Sequence, residues 1–326
     1  MPKLSFKNDT FEMNSSQSVL ENLLNRGHQV PNSCRAGICQ ACKVQLVDGV
    51  INPQAQQGLP AAQSDAGIFL ACCCFPSSNI SVQLVDTARI SHEAQVLDHF
   101  MLNADVLCLR LDTDFKWQAG QVINCVKDDT VIRSYSIASR PMDGVVELHI
   151  RIYPDGRFGQ WAKHQLKVGD RLRIEAPFGE CVYDPACYQQ NMLMVATGTG
   201  LAPIYGVLKE ALANHHQGQI ELYVASGDYQ GFYYLDKLEA LAQAYPQLRL
   251  HKVVRRRDSV LEEAALEEVK EGHVEDVVLA EHSSLKDYRV YLCGAPTMVE
   301  QLKKACFMRG VKMQDIQCDP FEAAQP

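Results

Sequence analysis

Thirteen cysteines stand in this chain of 326 residues, and six of them fall between positions 34 and 74. Three make the run Cys34-Arg-Ala-Gly-Ile-Cys39-Gln-Ala-Cys42, spaced C-x4-C-x2-C, and three stand together at Cys72, Cys73 and Cys74. Thiolates so grouped are metal ligands rather than a disulfide framework if the compartment is reducing. A zinc site usually takes two short Cys/His pairs parted by a longer spacer. Three cysteines in nine residues with a remote fourth is instead the spacing of a [2Fe–2S] set. Gly37 inside the loop can take a positive φ and let the backbone approach the sulfurs. On an extended chain Cys72 and Cys74 share one side and Cys73 the other, which leaves the remote ligand open among the three.

Residues 3–85 resemble a plant-type ferredoxin domain, with a strand near Leu4–Phe6, a helix opened by the capping-box pattern Ser18-Val-Leu-Glu21, the cysteine loop and a strand Lys43–Val47. In that family the fourth ligand stands in a segment of the form hydrophobic-Ala/Thr-Cys-x-x-x-Pro. Leu70-Ala71-Cys72 and Pro76 match it, with twenty-nine residues between Cys42 and Cys72. The resemblance implies Cys34, Cys39, Cys42 and Cys72 as metal ligands. Strand alternation then turns Cys73 away and leaves Cys74 on the ligand's side.

A second constellation begins at Arg133-Ser-Tyr135-Ser136. Alone it is a weak match, but Gly156-Arg157-Phe158-Gly159 and Ala176-Pro-Phe-Gly179 follow in order, and the three together resemble the flavin-binding segments of the ferredoxin–NADP reductase superfamily. The resemblance implies Arg133 on the flavin pyrophosphate, Tyr135 packed on the isoalloxazine and the Ser136 hydroxyl near N5, a catalytic position. Backbone N–H groups at Gly156–Gly159 would hold phosphate oxygens. Relatives usually carry Ser or Thr where Gly159 stands, so one hydroxyl contact is missing.

The third is Gly198-Thr199-Gly200, an apolar strand's end opening into an amphipathic helix, where backbone can approach a nucleotide. Pro203 stands where the dinucleotide fingerprint has its third glycine. GTGLAP resembles the nicotinamide loop of the same superfamily. Val290-Tyr-Leu-Cys293-Gly-Ala-Pro296 resembles the strand end whose cysteine lies by the nicotinamide, implying a catalytic role for Cys293. Phe321, in the C-terminal DPF, resembles the aromatic held over the flavin. Asp228, after the strand Ile220–Ser226, suits a ribose diol and repels a 2′-phosphate, favouring NADH. Arg255-Arg256-Arg257 is the competing signal for NADPH.

These residues need elements to carry them. Strands at Val106–Asp112, Gln121–Lys127, Val145–Tyr153 and Arg171–Pro177 suggest a small antiparallel barrel. In the third, Leu148, Ile150 and Ile152 alternate with Glu147, His149 and Arg151, the pattern of a strand with one solvated face. From residue 191 strands alternate with helices, including Leu235–Ala244 and Pro296–Arg309, which implies a parallel sheet covered on both faces. The polar stretch Asp86–Glu93 reads as a linker. The expected organisation is multidomain α+β and α/β: a β-grasp ferredoxin domain over 1–87, an antiparallel β-barrel FAD domain over 88–187 and an α/β NAD(P)H domain over 188–326.

Bulk composition narrows the partners. A net charge of −8 argues against binding a nucleic-acid backbone. No apolar run approaches the ~18 residues needed to cross a membrane. MPKLSFKNDTFEMN lacks the apolar core of a signal peptide, so a cytoplasmic monomer is the expectation. The architecture resembles the reductase components of bacterial multicomponent oxygenases, implying electron flow from NADH through FAD and a [2Fe–2S] cluster to a partner oxygenase protein. The alternatives are the same chain of carriers serving another acceptor, such as a deoxysugar dehydratase system of the glucoseen-reductase kind, and a non-catalytic electron carrier.

Overall fold

The computed structural model describes residues 2–32, 34–35, 37–86, 91–128, 130–256 and 269–321. The first unit is a five-stranded mixed sheet of order β2-β1-β5-β3-β4, built from β1 (Lys3–Phe6), β2 (Asp9–Glu12), β3 (Lys43–Asp48), β4 (Ile68–Leu70) and β5 (Ile80–Leu84). Helix α1 (Val19–Asn25) covers it with Val19, Leu20 and Leu23, fully buried. The expected capping box closes its start: Glu21 N–H donates to Ser18 Oγ at 3.2 Å, and Ser18 N–H donates to Glu21 Oε2 at 2.8 Å. A short helix α2 (Ala61–Asp65) precedes β4.

The second unit is an antiparallel sheet of order β10-β7-β6-β11-β8-β9. Its strands are β6 (Ser91–Met101), β7 (Val106–Asp112), β8 (Val122–Asp128), β9 (Val131–Ser136), β10 (Val146–Arg151) and β11 (Arg171–Phe178). An antiparallel bridge between Ile137 and Leu148 joins the two edges, closing the sheet into a barrel. Closure removes the exposed edges that an open sheet would offer. The eleven-residue β6 begins at Ser91, inside the segment expected to be a linker, of which 87–90 lie outside the described residues. Its alternation is hidden because its outward side carries Leu97, Phe100 and Met101.

The third unit is wholly parallel, of order β15-β14-β13-β12-β16-β17. It comprises β12 (Met192–Thr197), β13 (Ile220–Ser226), β14 (Leu248–Val254), β15 (Val269–Glu271), β16 (Arg289–Gly294) and β17 (Ile316–Pro320). Helices α4 (Leu201–Ala213) and α5 (Leu235–Ala244) pack on one face, and α6 (Val274–Glu281) and α7 (Pro296–Met308) on the other, giving two separate apolar cores. Helix α4 is buried on almost every side because the barrel covers what the sheet does not. Gly206 makes that approach possible: a Cβ there would lie 3.0 Å from Ile137 O and 3.2 Å from Ala119 Cβ.

β10 departs from its expected pattern. Glu147 and His149, read as solvent-facing, are buried, because Tyr233 and Tyr234 of the third unit lie over that face. His149 accepts from Tyr233 OH at Nδ1 (3.1 Å) and donates from Nε2 to Glu147 Oε1 (3.0 Å), the neutral tautomer that satisfies both partners. Burial lowers the His149 pKa in keeping with that form. Burial also pushes Glu147 up, but the bonds from His149 and Arg110 outweigh it and hold the carboxyl at about 2.

One glycine fixes how the third unit's first turn meets its neighbouring strand. A Cβ on Gly200 would lie 2.2 Å from Cys293 O and 2.7 Å from Gly294 N, backbone against backbone. Gly200→Ala is expected to cost about 1–3 kcal/mol of stability by overpacking, read as an earlier thermal midpoint. Gly227→Ala, whose Cβ meets nothing within 4 Å, should leave the midpoint in place.

Candidate functional site

The cysteine loop brings four thiols together as two pairs. Cys34 N–H donates to Cys39 Sγ at 3.3 Å and Cys39 N–H to Cys34 Sγ at 3.2 Å. Cys72 lies against Cys42, and Gly37 N–H reaches its sulfur. The loop takes a positive φ at Arg35 (51°), Gly37 (79°) and Gln40 (54°). For the two non-glycine residues that conformation costs roughly 1–2 kcal/mol each. It turns N–H groups inward toward the sulfurs.

The electrostatics ask for positive charge. Contact with Cys34 and burial hold the Cys39 thiol well above its ordinary range, and contact with Cys42 and burial do the same to Cys72. Two buried thiolates side by side repel one another, so these four ionise together only around cations. The donor set fits an iron–sulfur cluster.

The three adjacent cysteines do not alternate as a strand would. Ala71–Cys73 forms a 3₁₀ turn, which reverses the expected placement of the two spare thiols. Cys73 Sγ lies 3.6 Å from Cys72 Sγ and against the Gly37 Cα, where a Cβ would come within 2.7 Å of it. Cys74 points the other way and is fully buried in the first unit's core. The thiol beside the ligand set is therefore Cys73.

A cavity of about 390 Å³ opens where all three units meet. Cys34, Ile38 and Cys39 line one end, Arg133, Ser134, Tyr135 and Ser136 of β9 the wall, and Gly156–Gly159 another side. Thr199, Ala202, Asp319 and Phe321 close it. Gly156 caps helix α3 (Arg157–His164) and has no side chain to occupy the first-turn N–H groups. Those groups, with the Arg157 guanidinium 2.9 Å from Thr130 Oγ1, make an anion-receiving corner. Gly159 matches close packing: a Cβ would lie 3.2 Å from Arg151 O. Tyr135 packs on Phe158 with ring centroids 5.4 Å apart. Arg133, which lines the cavity, donates from Nη1 to Ile132 O at 2.9 Å and to Asn32 O at 3.5 Å. An aromatic wall, two guanidiniums and an uncapped helix start fit a flavin with its pyrophosphate.

Asp319 was not singled out by the sequence. Ser136 Oγ donates to its Oδ2 at 2.5 Å across 183 residues of chain. Burial pushes the Asp319 carboxyl up to about 6, against the lowering effect of the Ser136 bond. The DPF triplet pointed to Phe321, which lines the cavity, with its N–H bonded to Gly294 O at 2.7 Å.

A second cavity of about 710 Å³ lies beyond the C-terminal ends of the parallel strands, where open α/β sheets bind ligands. Thr197, Gly198, Asp228 and Arg255 line it. Asp228 Oδ1 accepts from Gly231 N–H at 3.0 Å, so the residue also caps a turn. Arg257 lies outside the described residues. Arg151 and Tyr153 border both cavities. Cys293 lines neither: its sulfur is buried 3.7 Å from Cys181 Sγ, and its carbonyl backs the Gly198–Gly200 turn. Its side chain thus stands behind the cavity wall, away from the position expected for a residue beside the nicotinamide.

Three matches to known families cover these units in order. Residues 5–77 match the 2Fe-2S iron-sulfur cluster binding domain, 81–183 the oxidoreductase FAD-binding domain and 194–304 the oxidoreductase NAD-binding domain. The terephthalate 1,2-dioxygenase reductase component 1 of Comamonas is 32% identical, over 94% of this chain and 92% of that protein. The naphthalene 1,2-dioxygenase system ferredoxin–NAD(P)(+) reductase component of Pseudomonas putida is 28% identical over 96% of each. The crystal structure of Amycolatopsis cytochrome P450 reductase GcoB matches with a TM-score of 0.67 and 27% identity, covering 100% of both chains. With a [2Fe–2S], an FAD and an NAD(H) domain in the same order and a likeness running the length of the chain, this protein is an oxidoreductase belonging to the family of oxygenase-system reductase components.

Proposed function

We propose that the protein draws electrons from NADH and passes them through FAD and the [2Fe–2S] cluster to a partner oxygenase. The observation that carries this reading is the shared cavity: the cysteine loop, the β9 motif and the nicotinamide-side turn line one space. A bound flavin supplies the conversion of an electron pair, received as hydride, into single electrons. Cys34, Cys39, Cys42 and Cys72 hold the cluster. Arg133, Arg157 and the start of α3 bind the flavin's phosphates, and Tyr135 packs on its ring. Ser136 and Asp319 move a proton: a proton arriving at Ser136 Oγ passes along the 2.5 Å bond to the carboxylate. The nucleotide enters by the larger cavity, with Asp228 favouring NADH. The Comamonas and Pseudomonas putida relatives serve dioxygenases, and by that likeness the acceptor is an oxygenase protein. The same reading includes domain boundaries after 87 and 187 and a monomer in the cytoplasm; no described helix is long and apolar enough to cross a membrane. Anaerobic titration with NADH tests the whole scheme: flavin bleaching followed by loss of the cluster's visible absorption is expected, and neither change would overturn it.

Four substitutions separate the parts. Cys72→Ser is expected to lose the cluster's iron and visible absorption while NADH still bleaches the flavin, and Cys74→Ser to retain the iron. The reverse result would shift the ligand register by two residues.

Asp319 accepts a proton only when ionised. Electron passage from flavin to cluster should therefore weaken as pH falls through about 6. Asp319→Asn should be slower and flat with pH in rapid-mixing traces. Because the folded pKa is raised, the stability this group contributes is full below about 4 and lost as pH rises through about 6. The Asn variant should lose that slope in pH-dependent melting.

Asp228→Ser keeps a turn-capping oxygen but removes the charge. It is expected to raise kcat/KM for NADPH relative to NADH by roughly tenfold, about 1.4 kcal/mol. An unchanged ratio in steady-state assays would remove Asp228 from the selectivity.

A further inference from the structure

Lys43 follows the ligand-loop cysteine Cys42 directly, and its side chain leaves the first unit altogether. Its Nζ donates to Glu175 Oε2 of β11 at 2.7 Å, with the two side chains only 6% and 4% exposed. Glu175 Oε2 also accepts from Asn124 Nδ2 on β8 at 2.8 Å. Asn124 Oδ1 accepts from Ser134 Oγ on β9 at 2.7 Å, and Ser134 Oγ lies 3.3 Å from Cys39 O, back in the cysteine loop. The polar chain thus runs from beside Cys42 through the barrel to the residue between Arg133 and Tyr135, and returns to the loop. Around it Cys34, Cys39, Ala41, Val126 and Ile132 form a small apolar seal.

The two kinds of contact do different work. Apolar contact is non-directional, so the seal alone allows the first unit to slide or turn on the barrel. A buried ion pair contributes little net stability, because desolvation offsets most of its attraction, but it tolerates few geometries. Two hydrogen bonds of 2.7 and 2.8 Å converging on one carboxylate oxygen, one from each unit, narrow those further. We propose that Lys43 and Glu175 are positioning residues that seat the iron–sulfur unit on the barrel in the pose from which the cluster receives electrons. The inference rests on the electron path proposed above. Electron tunnelling falls exponentially with separation, so a seat that drifts slows this one step and leaves NADH oxidation at the flavin untouched.

The test follows the full-length, cofactor-loaded protein after anaerobic rapid mixing with NADH, with flavin bleaching and cluster bleaching recorded separately. In Lys43→Met and in Glu175→Gln the flavin phase is expected to be unchanged. The cluster phase should slow at least several-fold, as a tunnelling step does when its two carriers drift apart. The two variants alter local charge in opposite senses, so a purely electrostatic effect on the cluster would speed one and slow the other; that outcome overturns the proposal. In Lys43→Met/Glu175→Leu no charge is left stranded, so the fold is retained even where a single variant is lost. The cluster phase stays slow if the pair positions, and returns to the wild-type rate if the pair matters only for stability. Amide hydrogen exchange along β3 and β8 should rise in all three variants with iron content unchanged. Unaltered exchange together with unaltered cluster reduction would refute the seat. A wild-type protein whose cluster NADH never reduces would instead refute the electron path itself.

Discussion

Two carriers of different electron count must be held edge to edge in a space that excludes water, and strand β9 is where this chain meets that demand. Ile132 joins the apolar seal with the cysteine loop, Ser134 bonds into the polar chain that reaches Lys43, and Ser136 bonds to Asp319 of the third unit. These are alternate residues, so a single strand face addresses both neighbouring units. Arg133 and Tyr135 line the same cavity. A one-residue slip of β9 against β8, where Ile123 pairs with Tyr135 and Val122 with Ser136, would misplace every one of these contacts. The barrel's closure prevents that slip, because Ile137 just beyond β9 is bridged to Leu148 of β10.

The barrel also spends two buried carboxylates on its two boundaries. Glu175 takes Lys43 from the iron–sulfur unit, and Glu147 takes Tyr234 OH at 3.2 Å from the nucleotide unit while Arg110 neutralises it and neutral His149 donates to it from the barrel side. Each boundary pairs a charged, directional contact with an apolar one. Removing either partner of the Lys43–Glu175 pair strands a buried charge, which costs about 3–5 kcal/mol. Burying both charges therefore makes the arrangement specific without making it especially stable.

What could be read from the chain divides by range. The cysteine loop, the Ser18 capping box, Arg133-Ser-Tyr-Ser136 and Gly198-Thr-Gly200 are local patterns, and their residue types are demanded by chemistry within a few positions. Helix α5 and strands β7, β13 and β14 follow from periodicity alone. Asp319 escaped because its meaning is a bond to Ser136, 183 residues away, and nothing in QCDPF marks a buried acid. Glu147 and His149 were misread for the same reason: alternation shows which residues share a face, but not that another unit covers that face. Cys73 and Cys74 were exchanged because the reading assumed a strand where three residues make a 3₁₀ turn. Strands as short as β15 carry too few residues for a period to register.

The geometry of the two cavities constrains how the nucleotide is used. They share Arg151 and Tyr153, and the Gly198–Gly200 turn reaches both, Gly198 lining the larger and Thr199 the smaller. Phe321 stands in the smaller cavity as the last described residue, tied by a main-chain bond to Gly294 at the end of β16. Its ring position is therefore set by the β16–β17 register, the same register that places Asp319 opposite Cys293 and against Ser136. A ring there fills part of the cavity, so any group seated at the same point must displace it. Displacing the ring costs its apolar burial, on the order of 1.5–3 kcal/mol for a fully buried side chain and less for this half-buried one.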